Sequence, residues 1–306
     1  MDATHGDLTR VPLAYPLPPV EGPRLVLAGC EHPVRPRRAR PLGAAGTPPC
    51  AHCGDGSGHL GPVSLGARLA ALGETPLADR TPVLAVGSNA ASAVIRYKLG
   101  RRGASAVVPL VTGVVRGLDV GHSAHVSRGG YVPATPVHRS GARTRVVLQL
   151  LDDEQLEVVD ATEGNYERVE LTATRYPVVL AGGGRPRRVH VYTSLRGVLG
   201  RPGERPVPML PQPDVLAVLR AAGVPHTTGE PHEVASRFGS SPAVRDAAND
   251  ALERLGLVHD SGLHTRPAGD LRWADALAPA RPRPTDRRGS GSRSASAGPR
   301  GASRHR

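Results

Sequence analysis

Aromatic side chains are scarce in this chain: one Trp, one Phe and six Tyr among 306 residues. Large rings supply much of the buried area of a small core, so a core spread evenly over the whole length is excluded. Five of the tyrosines (Tyr97, Tyr131, Tyr166, Tyr176, Tyr192) fall in one central stretch, and the core is expected there. Lysine is nearly missing, with Lys98 alone against 38 Arg. No apolar run approaches the length needed to cross a bilayer as a helix. The first residues, with Asp2, Asp7 and several prolines, lack the basic start and apolar stretch of a signal peptide, so a cytoplasmic protein is expected. Cysteine is limited to Cys30, Cys50 and Cys53, which in that compartment read as thiols or metal ligands and not as disulfides.

What is abundant is Arg, Gly and Pro. The formal charge of +12 suggests a nucleic-acid binder until it is located. Eight Arg and one acid, Asp286, lie between Arg281 and Arg306, and Arg35, Arg37, Arg38 and Arg40 form a second cluster. The remainder is close to neutral, so no basic face covers the folded part and nucleic acid is disfavoured as a partner.

The chain divides by composition. Residues 1–80 form a Pro/Gly/Arg-rich arm with short apolar runs (Leu25 to Leu27) and one possible helix from Leu65 to Leu72. Within it Cys30, His32, Cys50 and Cys53 have the residue types of a tetrahedral zinc knuckle, three thiolates and one imidazole, which would staple a segment poor in core. Residues 81–200 read as short strands with one or two helices: Val83 to Val86, a helix from Ala90 to Leu99, then strand-like stretches at 111–118, 125–126, 131–137, 144–150, 168–173 and 189–193. Asp152 to Leu156 is an acid-rich first helical turn. This predicts an α+β domain, a small mixed β-barrel with a few helices. Residues 201–279 form a helical appendage, with one helix over Asp214 to Ala222 and another capped by Ser241 and opened by Pro242. Residues 280–306 have a composition that cannot bury apolar area and are expected to be a disordered basic tail.

Two segments carry a resemblance. The strand-turn from Val83 through Gly87-Ser88-Asn89, and the later run Asp160-Ala161-Thr162-Glu163-Gly164-Asn165-Tyr166-Glu167-Arg168-Val169, resemble the two landmarks of the gamma-glutamylcyclotransferase-like family. Val189 to Tyr192 is similar to that family's last barrel strand, and the pieces follow in the family's order over somewhat more than a third of the chain. The resemblance implies an acyl-transfer lyase that releases 5-oxoproline from a small γ-glutamyl compound without a cofactor. It would place Glu163 as general acid/base, Gly87, Ser88 and Asn89 as a cradle for the carbonyl oxygen, and Tyr166 and Tyr192 beside the substrate. One departure is Val86, where many members carry an aromatic.

The residues read by themselves also allow plainer roles. Glu163 is then a solvated glutamate at a helix end, Ser88 and Asn89 stabilise a turn, and the two tyrosines are core. His122 and His125 would face opposite sides of a strand, which argues against a joint metal site and leaves one of them free to contact a substrate carboxylate. Two other functions stay open: a non-catalytic module of the same fold that binds a small molecule or a protein, and a zinc-knuckle nucleic-acid binder.

Overall fold

A computed structural model of the chain describes residues 6–27, 30–38, 40–47 and 63–277. The basic tail, Cys50 and Cys53 lie outside the described residues.

The fold is α+β, built on one large mixed sheet. The first strands, β1 (Arg24–Leu27) and β2 (Cys30–Pro33), come from the arm. Two short strands, β3 (Gly46–Thr47) and β4 (Val63–Ser64), pair with each other and lead into helix α1 (Leu65–Ala71). The central segment supplies β5 (Thr81–Ala85), α2 (Ser92–Gly100), the long strands β6 (Val108–His122) and β7 (Ala134–Leu151), and α3 (Asp153–Thr162). It continues with β8 (Tyr166–Thr172), β9 (Val178–Leu180), β10 (Arg188–Ser194) and β11 (Val198–Leu199). Helices α4 (Gln212–Ala221), α5 (Pro231–Ser240) and α6 (Pro242–Arg254) follow. The end is β12 (Val258–His259), β13 (Arg266–Pro267) and the single turn α7 (Trp273–Ala276).

In the main sheet the strands lie in the order β13-β8-β10-β5-β7-β6-β1-β2, with β9 added to β6. Neighbours run antiparallel except β5 and β10, which pair in parallel through His190 with Val83 and Val191 with Leu84. Side chains alternate between two buried faces, as the period of a strand requires. Leu84, Leu148, Leu150, Val189 and Val191 point into a core that also holds Tyr176 and Trp273. Val83, Ala85, Val147 and Leu151 point the other way, against Ile95 and Leu99 of α2 and Val159 of α3. Helices α2 and α3 therefore cover the second face, and the loops at their ends meet there.

The two stretches read separately at 131–137 and 144–150 belong to the single strand β7. Residues 138–141 are exposed, which breaks the apolar pattern, and the pairing with β6 shifts register there, from Arg116 opposite Arg143 to Leu118 opposite His138, so the strand bulges without ending. The described part of the arm also holds more regular structure than its composition suggests. Leu25, Val26 and Leu27 are buried because β1 pairs with Arg24 opposite Leu110 on β6. The possible helix at 65–72 and the Ser241-capped helix both form, and Ser64 and Ser241 accept the cap hydrogen bonds from Ala67 and Val244.

The helical segment is not a separate body. Leu216, Leu219, Phe238, Ala251 and Leu252 share one core with Val126 and Val132 of the β6–β7 connection. Side-chain amides fix the seam. Gln212 accepts from Val132 N–H at 2.8 Å and donates to its C=O at 2.9 Å, and Asn249 accepts from Val126 N–H at 2.7 Å. Gly130, at φ +82°, lets the same connection pass close to α5: a Cβ there would lie 2.1 Å from the Ala235 carbonyl oxygen.

One buried side chain ties the sheet to α3. Arg80 is fully buried just before β5. Its guanidinium donates to the carbonyls of Thr75, Val107 and Leu150, to Gln155 Oε1 and to Glu74, and it lies 3.7 Å from Asp152. Asp152 and Gln155 form the capping box of α3, and Gln155 also donates to Ser105 C=O at 2.8 Å. Arg80→Met would strand these acceptors without water. Chemical unfolding is expected to show a loss of about 3–5 kcal/mol, against about 1–3 kcal/mol for Gln155→Ala; a neutral Arg80→Met would remove the guanidinium from this role.

Candidate functional site

Where the end of β5, the end of α3 and the β6–β7 connection converge, they line a cleft of about 1170 Å³. The arm closes one side of it through Tyr15, and α6 another through Arg245 and Asn249.

Glu163 caps the C-terminus of α3 and is largely buried. Its Oε1 accepts from Asn89 Nδ2 at 2.9 Å and from Lys98 Nζ at 2.6 Å. Lys98 also donates to Asn89 Oδ1 at 2.9 Å, which closes a triangle of three side chains. Both contacts fall on one carboxylate oxygen, and among the described residues Oε2 has no hydrogen-bond donor. The sequence pointed to Glu163 and Asn89. Sequence pattern assigns Lys98, the sole lysine, no site role, although it lines the cleft from the last turn of α2.

The position of Glu163 is set one turn earlier. Asp160 is gripped by Arg168 through Nε and Nη2, both at 3.0 Å, and accepts from Tyr192 Oη at 2.5 Å. Arg168 and Tyr192 are cross-strand neighbours on β8 and β10, so the two reach the same side. Tyr192 thus both borders the cleft and braces the helix end. Burial, with the carboxylate of Asp160 next, raises its phenol well above the ordinary range. Arg168 also donates to His190 Nδ1 at 2.9 Å. A guanidinium only donates, so the proton of His190 sits on Nε2, which is buried without a partner.

Gly87 is the N-cap of a single 3₁₀ turn, Ser88–Ala90, that follows β5, with Ala90 N–H bonded to Gly87 C=O at 2.9 Å. A Cβ on Gly87 would come within 2.9 Å of Tyr15 Oη and 3.1 Å of the Ala134 Cβ, so the glycine is needed for close approach. Tyr15 Oη accepts from Ala134 N–H at 2.7 Å, and the Ser88 amide also faces it. Its ring stacks on Tyr131 with centroids 4.4 Å apart. Tyr166 donates to Ala134 C=O at 2.8 Å. Burial, as the main cause, raises all three phenols, Tyr131 to about 12, so each is a neutral hydroxyl. Of the three, only Tyr166 was singled out in the sequence. Tyr15 sits outside the tyrosine-rich stretch among prolines, and nothing local marks it.

The two histidines of His122-Ser123-Ala124-His125 have different work. Among ordinary tautomers His122 can only donate from Nδ1 to Val132 C=O, 3.1 Å away, because Nε2 accepts from Leu210 N–H at 3.0 Å. It fastens the connector after β11 to the sheet. His125 lies beyond the strand and lines the cleft, with Nδ1 2.5 Å from Ser123 Oγ. Among the described residues no group of three His, Cys, Asp or Glu could hold a metal. Of the knuckle residues, Cys30 is partly buried and His32 buried on β2, while Cys50 and Cys53 fall outside the described part. The described helices include none long and apolar enough to cross a membrane.

A scan against protein-family models finds no match for the chain, and a search of curated proteins finds no significant relative.

His122, His125 and His190 are buried, and burial is the main cause that lowers each to about 4 from the ordinary 6.5. Between those values the unfolded chain binds more protons than the folded one, so stability present above pH 6.5 is lost toward pH 4. Denaturant titrations across that interval should show the unfolding free energy falling by on the order of 3 kcal/mol for each such ring. A flat profile would contradict their burial.

Proposed function

We propose that this chain is a gamma-glutamylcyclotransferase-like enzyme that releases 5-oxoproline from a small γ-glutamyl compound, with Glu163 as general acid/base. The observation that carries the reading is the meeting of the two landmark segments at one carboxylate. Asn89 from the Gly87–Asn89 turn holds Glu163 Oε1, while Oε2 is left without a donor. A carboxylate fixed through one oxygen and open at the other suits repeated proton transfer at a nearby nitrogen. On the same reading the sheet, with its long β6–β7 hairpin and parallel β5–β10 pair, would correspond to the family's small mixed barrel.

The reaction asks for little beyond position. The substrate's α-nitrogen attacks its own γ-carbonyl carbon, a C–N bond forms in the five-membered ring, and the amide C–N bond to the departing amine breaks. The two protons shed by the attacking ammonium end on that amine, passing one at a time through Glu163. Nucleophile and electrophile share one molecule, so a cleft that folds the chain into a ring-like pose gains effective molarities of about 10⁵ M or more. The carbonyl oxygen gathers charge as the ring closes and needs donors already in place. Tyr15 is a candidate, because its oxygen accepts from Ala134 and faces the Ser88 amide while no protein acceptor among the described residues takes its proton. Its ring also packs beside Gly87, near where Val86 replaces the aromatic common in the family. No cofactor enters this scheme.

The alternative is a binding module without turnover, favoured by the 2.6 Å ion pair with which Lys98 occupies the carboxylate. A panel of γ-glutamyl amines and dipeptides decides between the two. The expected result is 5-oxoproline release by the unaltered protein and a loss of about 10²-fold or more in kcat for Glu163→Gln, in line with a general acid/base. The amide would keep the fold and still meet Lys98. Release that survives in Glu163→Gln would remove this residue from the role, and ligand-induced thermal stabilisation without release would favour the binding module.

A further inference from the structure

Lys98 and Glu163 meet at 2.6 Å, and their side chains keep only 18% and 13% of their surface exposed. Two features set this contact apart from an ordinary ion pair. The first is that Asn89 binds both partners through one amide, donating from Nδ2 to Glu163 Oε1 at 2.9 Å and accepting from Lys98 Nζ at 2.9 Å. Only this orientation of the amide can serve a cation and an anion at once. Its backbone is held from behind by the fully buried Gln149 of β7, whose Nε2 donates to Asn89 C=O at 2.6 Å. The second is that each partner keeps a free valence. An ammonium has three donors and Lys98 uses two, while a carboxylate has two oxygens and Glu163 uses one. Among the described residues nothing takes the third N–H of Lys98 or donates to Glu163 Oε2. Val94 and Lys98, four apart on α2, share a helix face, and both line the cleft.

The reaction needs an acid as well as a base, because an amide nitrogen does not depart as an anion. The other groups of the cleft are poorly suited to that task. Burial is the main cause that raises the phenols of Tyr15, Tyr131, Tyr166 and Tyr192, Tyr131 to about 12, so each holds its proton. His125 is lowered to about 4, mainly by burial, and is a neutral imidazole. Arginines line the cleft too, but a guanidinium does not give up its proton. A primary ammonium can.

We propose that Lys98 is the general acid of this site: it protonates the departing nitrogen and is recharged by Glu163. This rests on the cyclotransferase reading and divides its proton work between two side chains. Glu163 takes a proton from the substrate's ammonium, the freed amine attacks the γ-carbonyl carbon, and the new C–N bond closes the ring. As the old C–N bond breaks, its electron pair goes to the departing nitrogen, which takes a proton from Lys98 Nζ. The neutral Lys98 amine then receives the proton held by Glu163, which restores both charges. A second pass carries the ring nitrogen's remaining surplus proton to the amine, which leaves as an ammonium. The ion pair is then the loaded state of the enzyme, and Asn89 is the positioning residue that holds acid and base together.

The test compares two probes on the full-length protein. The nitrogen of γ-glutamylbutylamide must be protonated to leave, whereas the γ-phenyl ester of glutamate loses phenolate without a proton. Release of 5-oxoproline is measured for both, with the ester's spontaneous cyclisation subtracted. Lys98→Met and Lys98→Arg should each lower kcat on the amide by about 10²-fold or more and on the ester by about threefold or less. Glu163→Gln should slow both probes, because either reaction needs the attacking ammonium deprotonated. Lys98→Arg keeps a cation beside Glu163 and decides the question even if Lys98→Met fails to fold. Equal losses on the two probes would make Lys98 a positioning residue for Glu163 and overturn the proposal. Full amide turnover by Lys98→Arg would overturn it as well, and either result leaves the cyclotransferase reading standing. Ester turnover without amide turnover by the unaltered protein would also remove the acid. Release from neither probe by the unaltered protein would sink the cyclotransferase reading itself and the acid with it.

Discussion

A guanidinium with no access to water organises the region on which the cleft depends. Arg80 can stay charged in the interior only because carbonyls, an amide and two carboxylates surround it. Those acceptors come from the loop before β5, the start of β6, the end of β7 and the first turn of α3. Satisfying one cation therefore fixes four pieces of backbone relative to one another. Helix α3 leaves this knot in a set direction, and ten residues later it delivers Glu163 to the cleft. The same helix is caught at its other end by Arg168 and Tyr192 through Asp160. A helix pinned at both ends by charge-assisted bonds has little freedom to misplace its final carboxylate, and acid/base chemistry is sensitive to displacements of that size.

The cleft borrows its walls from parts of the chain with separate compositions. The arm contributes Tyr15, the central strands contribute the Gly87–Asn89 turn and His125, and the helical segment contributes Arg245 and Asn249. Such a site needs seams that hold, and the seams are polar as well as apolar. Gln212 on Val132 and His122 on Leu210 give buried backbone groups partners that no ladder supplies. Removing one of these side chains would leave backbone groups unsatisfied, so the seams resist sliding in a way an apolar contact alone would not.

Neutral polar groups dominate the interior of the site. The phenols of Tyr15, Tyr131, Tyr166 and Tyr192 and the imidazole of His125 border it, and burial disfavours the charged form of each. Charge at the site includes the Lys98–Glu163 pair, and arginines outnumber the remaining acids along the lining.

Local pattern was enough for several conclusions. Alternating and helical periods gave the α+β class, α2, α3 with its acid-rich start, and the Ser241 cap, because each depends on residues within one or two turns of one another. The Asp160–Glu163 spacing and the Gly-Ser-Asn turn marked Glu163 and Asn89 on the same grounds. The sequence was silent on Tyr15, on Lys98 as the partner of Glu163, and on β1, whose burial comes from pairing with β6. It also split β7 in two, since an exposed polar middle with a shift in register carries no apolar signal, although the ladder resumes on both sides of it. Chain order holds His122 and His125 three residues apart, but only the fold could turn one inward to Leu210 and the other to the cleft. Residue types determined which groups could do chemistry. Which of them meet was decided by long-range pairing and by the demand that every buried charge and amide find a partner, and that demand is met only when distant segments close around it.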